Sequence, residues 1–393
     1  MTTVLRAAWL FDGTADTLMP DPTVILDGGT IAAVGTALPV PDGATVVDLG
    51  AATILPGLVD AHVHLAFDAS ADPVGNLAAR DDAEAVAAMT VAARHAVRGG
   101  VTTMRDLGDR GYLSLGLRDA AAADPSLPTI VASGPPITSP GGHCHYLGGA
   151  AVTGEGGIRA AVREHADRGV DVIKIMASGG NLTPGSLPEV SQFGAGELRA
   201  AVDEAHRLGL PVTAHAHGTQ AIVDALAAGV DGLEHVSFMN ADSVDAIPDE
   251  VLTAIVSRRV VVGMTLGVMP VPGIVPPPAV LSRMPLMIAG LRRMHDAGAV
   301  MVAGTDAGIA PIKPHDVLRW AVVQFGQIAM TPTGALRAAT SVAATACGLG
   351  DRKGRVAAGY DADILAVDGD PLQDASALHR IRAVYVRGVA VTR

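Results

Sequence analysis

The run Val59-Asp60-Ala61-His62-Val63-His64-Leu65 decides how the rest of the chain is read. A turn signal, Leu55-Pro56-Gly57, precedes it, and the apolar residues around the histidines read as a short strand. Residues i and i+2 of a strand point to the same side, so two imidazoles here can converge on one metal ion. A bare His-x-His is common by chance. Its meaning depends on whether other ligand-type residues recur further along the chain.

Four later segments do place such residues at or just beyond the ends of apolar, strand-like runs. They are Val170-Asp171-Val172-Ile173-Lys174-Ile175-Met176, Leu210-Pro211-Val212-Thr213-Ala214-His215-Ala216-His217, Gly232-Leu233-Glu234-His235 and Val300-Met301-Val302-Ala303-Gly304-Thr305-Asp306. Imidazoles with a carboxylate suit zinc or a similar divalent ion. With this order (His-x-His, Lys, His, His, Asp) the chain resembles the amidohydrolase superfamily of metal-dependent hydrolases over nearly its whole length. The runs around His215, Lys174 and Gly142-His143 look most like its Xaa-Pro dipeptidase and imidazolonepropionase-related group.

The resemblance implies a binuclear centre. His62, His64 and Asp306 would hold one ion, His215 and His235 the other, and Lys174, carboxylated by carbon dioxide, would bridge both. An unmodified lysine is a poor ligand because its amine is protonated, but burial beside cations favours the neutral amine. The other reading of Lys174 is a lysine snorkelling from a strand end to solvent. The chain has very few lysines, and the others fall in polar or loop contexts.

The same resemblance implies hydrolysis of a C–N (amide) bond by a hydroxide shared between the two ions, with Zn2+ the expected metal. Asp306 would carry the proton to the leaving nitrogen, and His143 would polarise the substrate carbonyl. Substrates of that group are dipeptides, N-acyl amino acids or related amides. His217 stands where the group commonly has tyrosine, a departure that argues against dipeptide recognition. His217 contacts substrate or hydrogen-bonds the helix after Gly218, and Tyr146, beside His143 and His145, is a further candidate substrate contact. A core role for His235, a helix cap for Asp306, a separate metal site at His143 and His145, and a nucleophilic Cys144 are the competing readings. A lactam or other cyclic-amide hydrolase would use the same metals. A deaminase would more often use one metal without the lysine, and a non-catalytic binding protein would have a broken ligand set.

Composition fits an enzyme for small molecules. The 393 residues are 49% hydrophobic but only 3% aromatic, so the core must be built from Ala, Val, Leu and Ile. A net charge of −12 without a basic run argues against nucleic-acid or anionic-membrane partners. Two cysteines, Cys144 and Cys347, make no disulfide framework, and the N-terminus lacks a signal-peptide pattern. A cytoplasmic protein without membrane spans is expected, acting on a small-molecule amide and assembling as a homo-oligomer.

Residues 57–355 alternate short apolar strands with amphipathic helices, several ending on glycine: Gly99, Gly169, Gly209, Gly229 and Gly298. Eight such units make a (β/α)8 TIM barrel the natural closure, which gathers the ligands at one mouth. Residues 1–56 and 356–393 read as strands, including one continuous run from Val4 to Leu10 and a hairpin at Asp27-Gly28-Gly29. A small β-sandwich domain built from both termini is expected. After the seventh barrel strand, Gly263 to Pro278 is apolar and proline-rich, a rigid substrate wall or an oligomer contact.

Overall fold

The structure, a computed structural model, describes residues 2–149, 151–275 and 278–392. Its centre is a parallel array in two pieces. The first three parallel strands, Leu58–Val63, Val101–Asp106 and Thr129–Ala132, form one sheet. The fourth to eighth, Ile173–Met176, Val212–Gly218, Gly232–Met239, Val261–Met264 and Met301–Ala303, form another, each paired with the next in the chain.

Backbone hydrogen bonds cross both gaps between the sheets. Ile137 N–H donates to Lys174 O and Met176 N–H to Ile137 O, both at 2.9 Å, joining the third unit to the fourth. Thr305 and Asp306 N–H both donate to His62 O, at 3.1 and 2.8 Å, joining the eighth to the first. The first, second and fourth strands are buried along their whole length, as parallel strands covered by helices on one face and side chains on the other should be.

Helices return the chain between strands. Asp82–Arg98 shows how the local sequence sets one: Asp81 accepts from Glu84 N–H at 2.8 Å, and the Glu84 carboxylate accepts from Asp81 N–H at 3.0 Å. Ala85, Met89, Ala93, Ala96 and Val97 recur at helical spacing and are its buried face. The left-handed residue that stops it is Gly100 (φ 87°), not Gly99 as the sequence suggests. Arg159 and Arg163 on a later helix both reach Glu204 on the helix that follows it, at 3.6 and 3.1 Å.

The terminal segments form a four-stranded and a six-stranded sheet. The six-stranded sheet joins Trp9–Leu10, Met19–Pro20 and Ala52–Pro56 from the N-terminal part to Ile364–Asp368, Ile381–Val386 and Val389–Ala390 from the C-terminal part. A separate apolar cluster, including Leu5, Leu10, Ile31, Ile54, Ile364 and Tyr385, lies with these sheets. The hairpin at Asp27-Gly28-Gly29 is present, with Gly28 at φ 57°. The run from Val4 to Leu10, however, is two strands, Thr2–Arg6 and Trp9–Leu10, in different sheets. Ala8 breaks it by donating its N–H to Gly50 O and accepting from Asp21 N–H. Lys353 does lie in a loop, but it is buried between Asp361 and Asp363, at 2.8 and 2.6 Å. Among the described residues no helix is long and apolar enough to cross a membrane.

Candidate metal centre

Strand alternation brings His62 and His64 to one side, and the chain after the eighth strand delivers Asp306 to them. His64 Nε2 lies 3.2 Å and His62 Nε2 3.5 Å from Asp306 Oδ1, and the two Nε2 atoms are 3.3 Å apart. Nitrogen donors bound tetrahedrally at about 2.0–2.1 Å stand roughly 3.4 Å from one another, so this spacing suits one shared ion. Each outer nitrogen is committed: His62 Nδ1 to Glu234 Oε2 (2.9 Å) and His64 Nδ1–H to Gly108 O (3.1 Å). Burial, then the Lys174 charge, pushes His62 down to about 4, so its Nε2 carries a lone pair. His64 is opposed by burial but drawn above its ordinary value by Asp306. A cation at this position would compete with a proton for the His64 nitrogen.

The fifth and sixth strands supply a second group, His215, His217 and His235, whose donor atoms lie within 4.8 Å of one another. His215 Nε2–H donates to Gly179 O at 2.8 Å, which leaves its Nδ1 free as a ligand. His217 and His235 use Nδ1 on the hydroxyls of Ser237 (2.7 Å) and Thr265 (2.9 Å). His217 thus pairs with Ser237, not with the following helix, and sits in the donor group itself. His62 and His235 have ring centroids 5.2 Å apart, so the two groups adjoin.

Glu234 and His235 are neighbours, and regular strand pleating would send them to opposite faces. The chain avoids this with left-handed backbone at His235 (φ 71°) and Val236 (φ 49°). Asp306 is also left-handed, at φ 59°. Such conformations cost about 1–3 kcal/mol each for residues with a Cβ and persist where the surroundings enforce them.

Lys174 is 1% exposed, and its Nζ has no hydrogen-bond partner among the described residues. Burial is the main force on it, and Arg105 adds to it against Glu234 and Asp306, bringing the ammonium down to about 8. Its charge acts on His62 and on His215, members of both groups. A buried amine without a partner is costly. An anionic group added to Nζ, with cations beside it, would remove that cost.

The supporting side chains were not legible in sequence. Glu234 takes His62 on one oxygen and Thr213 Oγ1 (2.7 Å) and Arg105 (3.1 Å) on the other. Burial opposes its ionisation, but His62, Arg105 and Lys174 outweigh it and hold the carboxyl well below the usual range. Gly263 makes room for this carboxylate, since a Cβ there would stand 1.9 Å from Glu234 Oε2. Asp60 accepts from Thr305 Oγ1 (2.6 Å) and N (3.0 Å) and so ties the eighth unit to the first. An arginine inside the run Val101–Asp106 was the available clue. Glu234→Gln is expected to weaken metal affinity about 10- to 100-fold, measured by competition with a chelator, because His62 loses its anionic partner. Unchanged affinity would remove Glu234 from that role.

His143 is buried beside the second group, with its ring centroid 4.8 Å from that of His215. Burial, then His217, lowers it to about 3, so it is neutral. Tyr146 is different. Its hydroxyl turns to Leu182 O (3.5 Å) and Cys144 Sγ (3.8 Å). His145 Nδ1 is 2.9 Å from Gly142 O and joins neither donor group. Cys144 is buried and its thiol pushed up to about 12, which disfavours a nucleophilic thiolate.

The stretch from Gly263 to Pro278 is only partly a loop. Met264 ends the seventh strand and is fully buried, while Val268, Ile274 and Val275 are exposed. Gln324 braces it, with Nε2 donating to Val268 O (2.8 Å) and Oε1 accepting from Gly267 and Val268 N–H (both 3.2 Å). Pro276 and Pro277 lie outside the described residues.

A family model described as the amidohydrolase family matches residues 53–391. The chain is 28% identical to ochratoxinase of Aspergillus niger, over 97% of this chain and 84% of that protein. It is 31% identical to an uncharacterised protein of Mycobacterium tuberculosis, over 89% of this chain and 88% of the other. The crystal structure of a Xaa-Pro dipeptidase with methionine bound in the active site superposes with a TM-score of 0.85 at 26% identity, covering 100% of both chains.

Proposed function

The chain belongs to the amidohydrolase family, and we propose that it is a binuclear metal-dependent hydrolase of a C–N amide bond in a small molecule. The observation that carries this reading is the adjoining pair of donor groups with the Lys174 amine, unpartnered among the described residues, acting on both. His62, His64 and Asp306 would hold one ion and His215 and His235 the other. Lys174 would bridge them as a carbamate: Nζ forms a bond to the carbon of carbon dioxide and releases a proton. Its lowered pKa makes the free amine accessible near neutral pH.

The nitrogen-rich donor set suits zinc. Bound there, divalent ions would polarise the substrate carbonyl and acidify a water molecule. The chain supplies the rest. Asp306 accepts a proton from the attacking water and returns it to the leaving nitrogen. His143 faces the carbonyl oxygen, and His217, beside the donor group, is in reach of the bound molecule.

The two parallel sheets are taken as one closed (β/α)8 barrel spanning 57–355, with residues 1–56 and 356–393 as a β-sandwich. The backbone bonds across both gaps and the separate apolar cluster support this division. Two cysteines without a disulfide fit a reducing, cytoplasmic setting.

Val268, Ile274 and Val275, exposed apolar residues after the seventh parallel strand, support a dipeptide, N-acyl amino acid or related amide with a bulky apolar group as the substrate. The test is turnover of metal-loaded protein against N-acyl amino acids, dipeptides, lactams and apolar amides. Amide cleavage with the apolar substrates fastest is expected, and no cleavage of any C–N bond would overturn the reading. Changing Val268, Ile274 and Val275 together to Ser should erase the apolar preference at unchanged metal content. If the profile persists while the mass in solution falls, the face is instead a contact of a homo-oligomer.

A further inference from the structure

Two side chains from the segment after the fourth parallel strand hold His143, Gln192 by its backbone and Thr183 by its ring. Gln192 Oε1 accepts His143 N–H at 2.5 Å, while its Nε2 donates to Met176 O (2.9 Å) and Thr138 Oγ1 (3.3 Å). One amide therefore ties His143 to the end of the strand that carries Lys174. Gly142 permits this approach, since a Cβ there would stand 2.4 Å from Gln192 Oε1. The His143 ring packs on Gly180, where a Cβ would lie 2.4 Å from Nε2.

Thr183 is the more informative of the two. Its Oγ1 accepts Cys144 N–H at 2.8 Å and lies 3.2 Å from His143 Nδ1, and both side chains are buried. A hydroxyl has one proton and two lone pairs. The backbone N–H can only donate, so it takes a lone pair of Thr183. Two arrangements then satisfy the pair: the hydroxyl proton goes to the ring nitrogen, or the ring's Nδ1–H takes the second lone pair and the hydroxyl proton turns to Cys144 or Tyr146, both within its hydrogen-bonding reach. A neutral imidazole that accepts at Nδ1 carries its own proton on Nε2.

We propose that Thr183 is a positioning residue that holds His143 in the Nε2–H tautomer, so that His143 offers the substrate carbonyl a hydrogen-bond donor. This rests on the reading of His143 as the group that faces that carbonyl. It also explains how a histidine in ring contact with His215 stays out of the ligand set: a protonated Nε2 cannot bind a metal ion.

The experiment is a double-mutant cycle with Thr183→Val, Thr183→Ser and His143→Ala, measuring kcat, KM and metal content of the metal-loaded enzyme. Loss of an oriented donor should lower kcat of Thr183→Val by about ten- to a hundred-fold with KM and metal content near wild type. Thr183→Ser should restore it, and Thr183→Val should add nothing to His143→Ala. Nitrogen-15 NMR of the wild-type ring supplies a check that needs no variant: His143 should show a protonated Nε2 and a bare Nδ1. A bare Nε2, or a Thr183→Val loss that persists undiminished in the His143→Ala background, would overturn the inference while leaving His143 catalytic. An undiminished His143→Ala would overturn the role of His143 and the inference with it.

Discussion

Asp306→Asn is expected to lower kcat by about 10²–10⁴-fold, the range that a positioned general base supplies. The carboxamide keeps an oxygen near His62 and His64 but has no lone pair basic enough to take a proton from water. Because the proton moves in the transition state, the loss should fall on kcat and kcat/KM together, with KM little changed. The fold should persist. The Asp306 main chain is held by its own N–H to His62 O and by the Thr305–Asp60 bonds, which the substitution leaves intact. Circular dichroism and metal content distinguish a chemical loss from a structural one. A variant with near-normal kcat would move the base elsewhere.

Lys174→Ala should be as damaging by a different route. The native lysine is buried with Nζ unpartnered among the described residues, and its charge acts on both donor groups. On the proposed carbamate reading the variant would lack the bridging anion, so it should lose most bound metal and several orders of magnitude of activity. The truncation also leaves a cavity large enough for a small anion. Added short-chain carboxylates, with bicarbonate, should therefore recover part of both losses in a concentration-dependent way. Full metal content and normal turnover in Lys174→Ala would remove the bridge from the account.

What the sequence discloses here is set by local periodicity. Two-residue alternation predicts that His62 and His64 share a side, and they do. It predicts the opposite for Glu234 and His235, which the left-handed backbone at His235 brings to the same centre. No pattern announces a positive φ on a histidine. Side chains that act across strands are equally silent: Arg105, Thr213 and Glu234 meet although they are far apart in sequence. Nor does the local sequence say what approaches Gly142 and Gly180, which are Gln192 and the His143 ring. The split of the Val4–Leu10 run arises from Ala8 bonding outside its own strand, a tertiary choice. Met264, read as part of a substrate wall, is instead core, because apolar composition alone does not tell a strand end from a loop.

The most direct test of the binuclear centre is the metal content of the protein, loaded with zinc in the presence of bicarbonate and freed of excess ion, by inductively coupled plasma mass spectrometry. The account predicts about two ions per chain, tightly held by the two donor groups. A stoichiometry that stays at about one, with Lys174→Ala unchanged from it, would contradict a shared two-metal site.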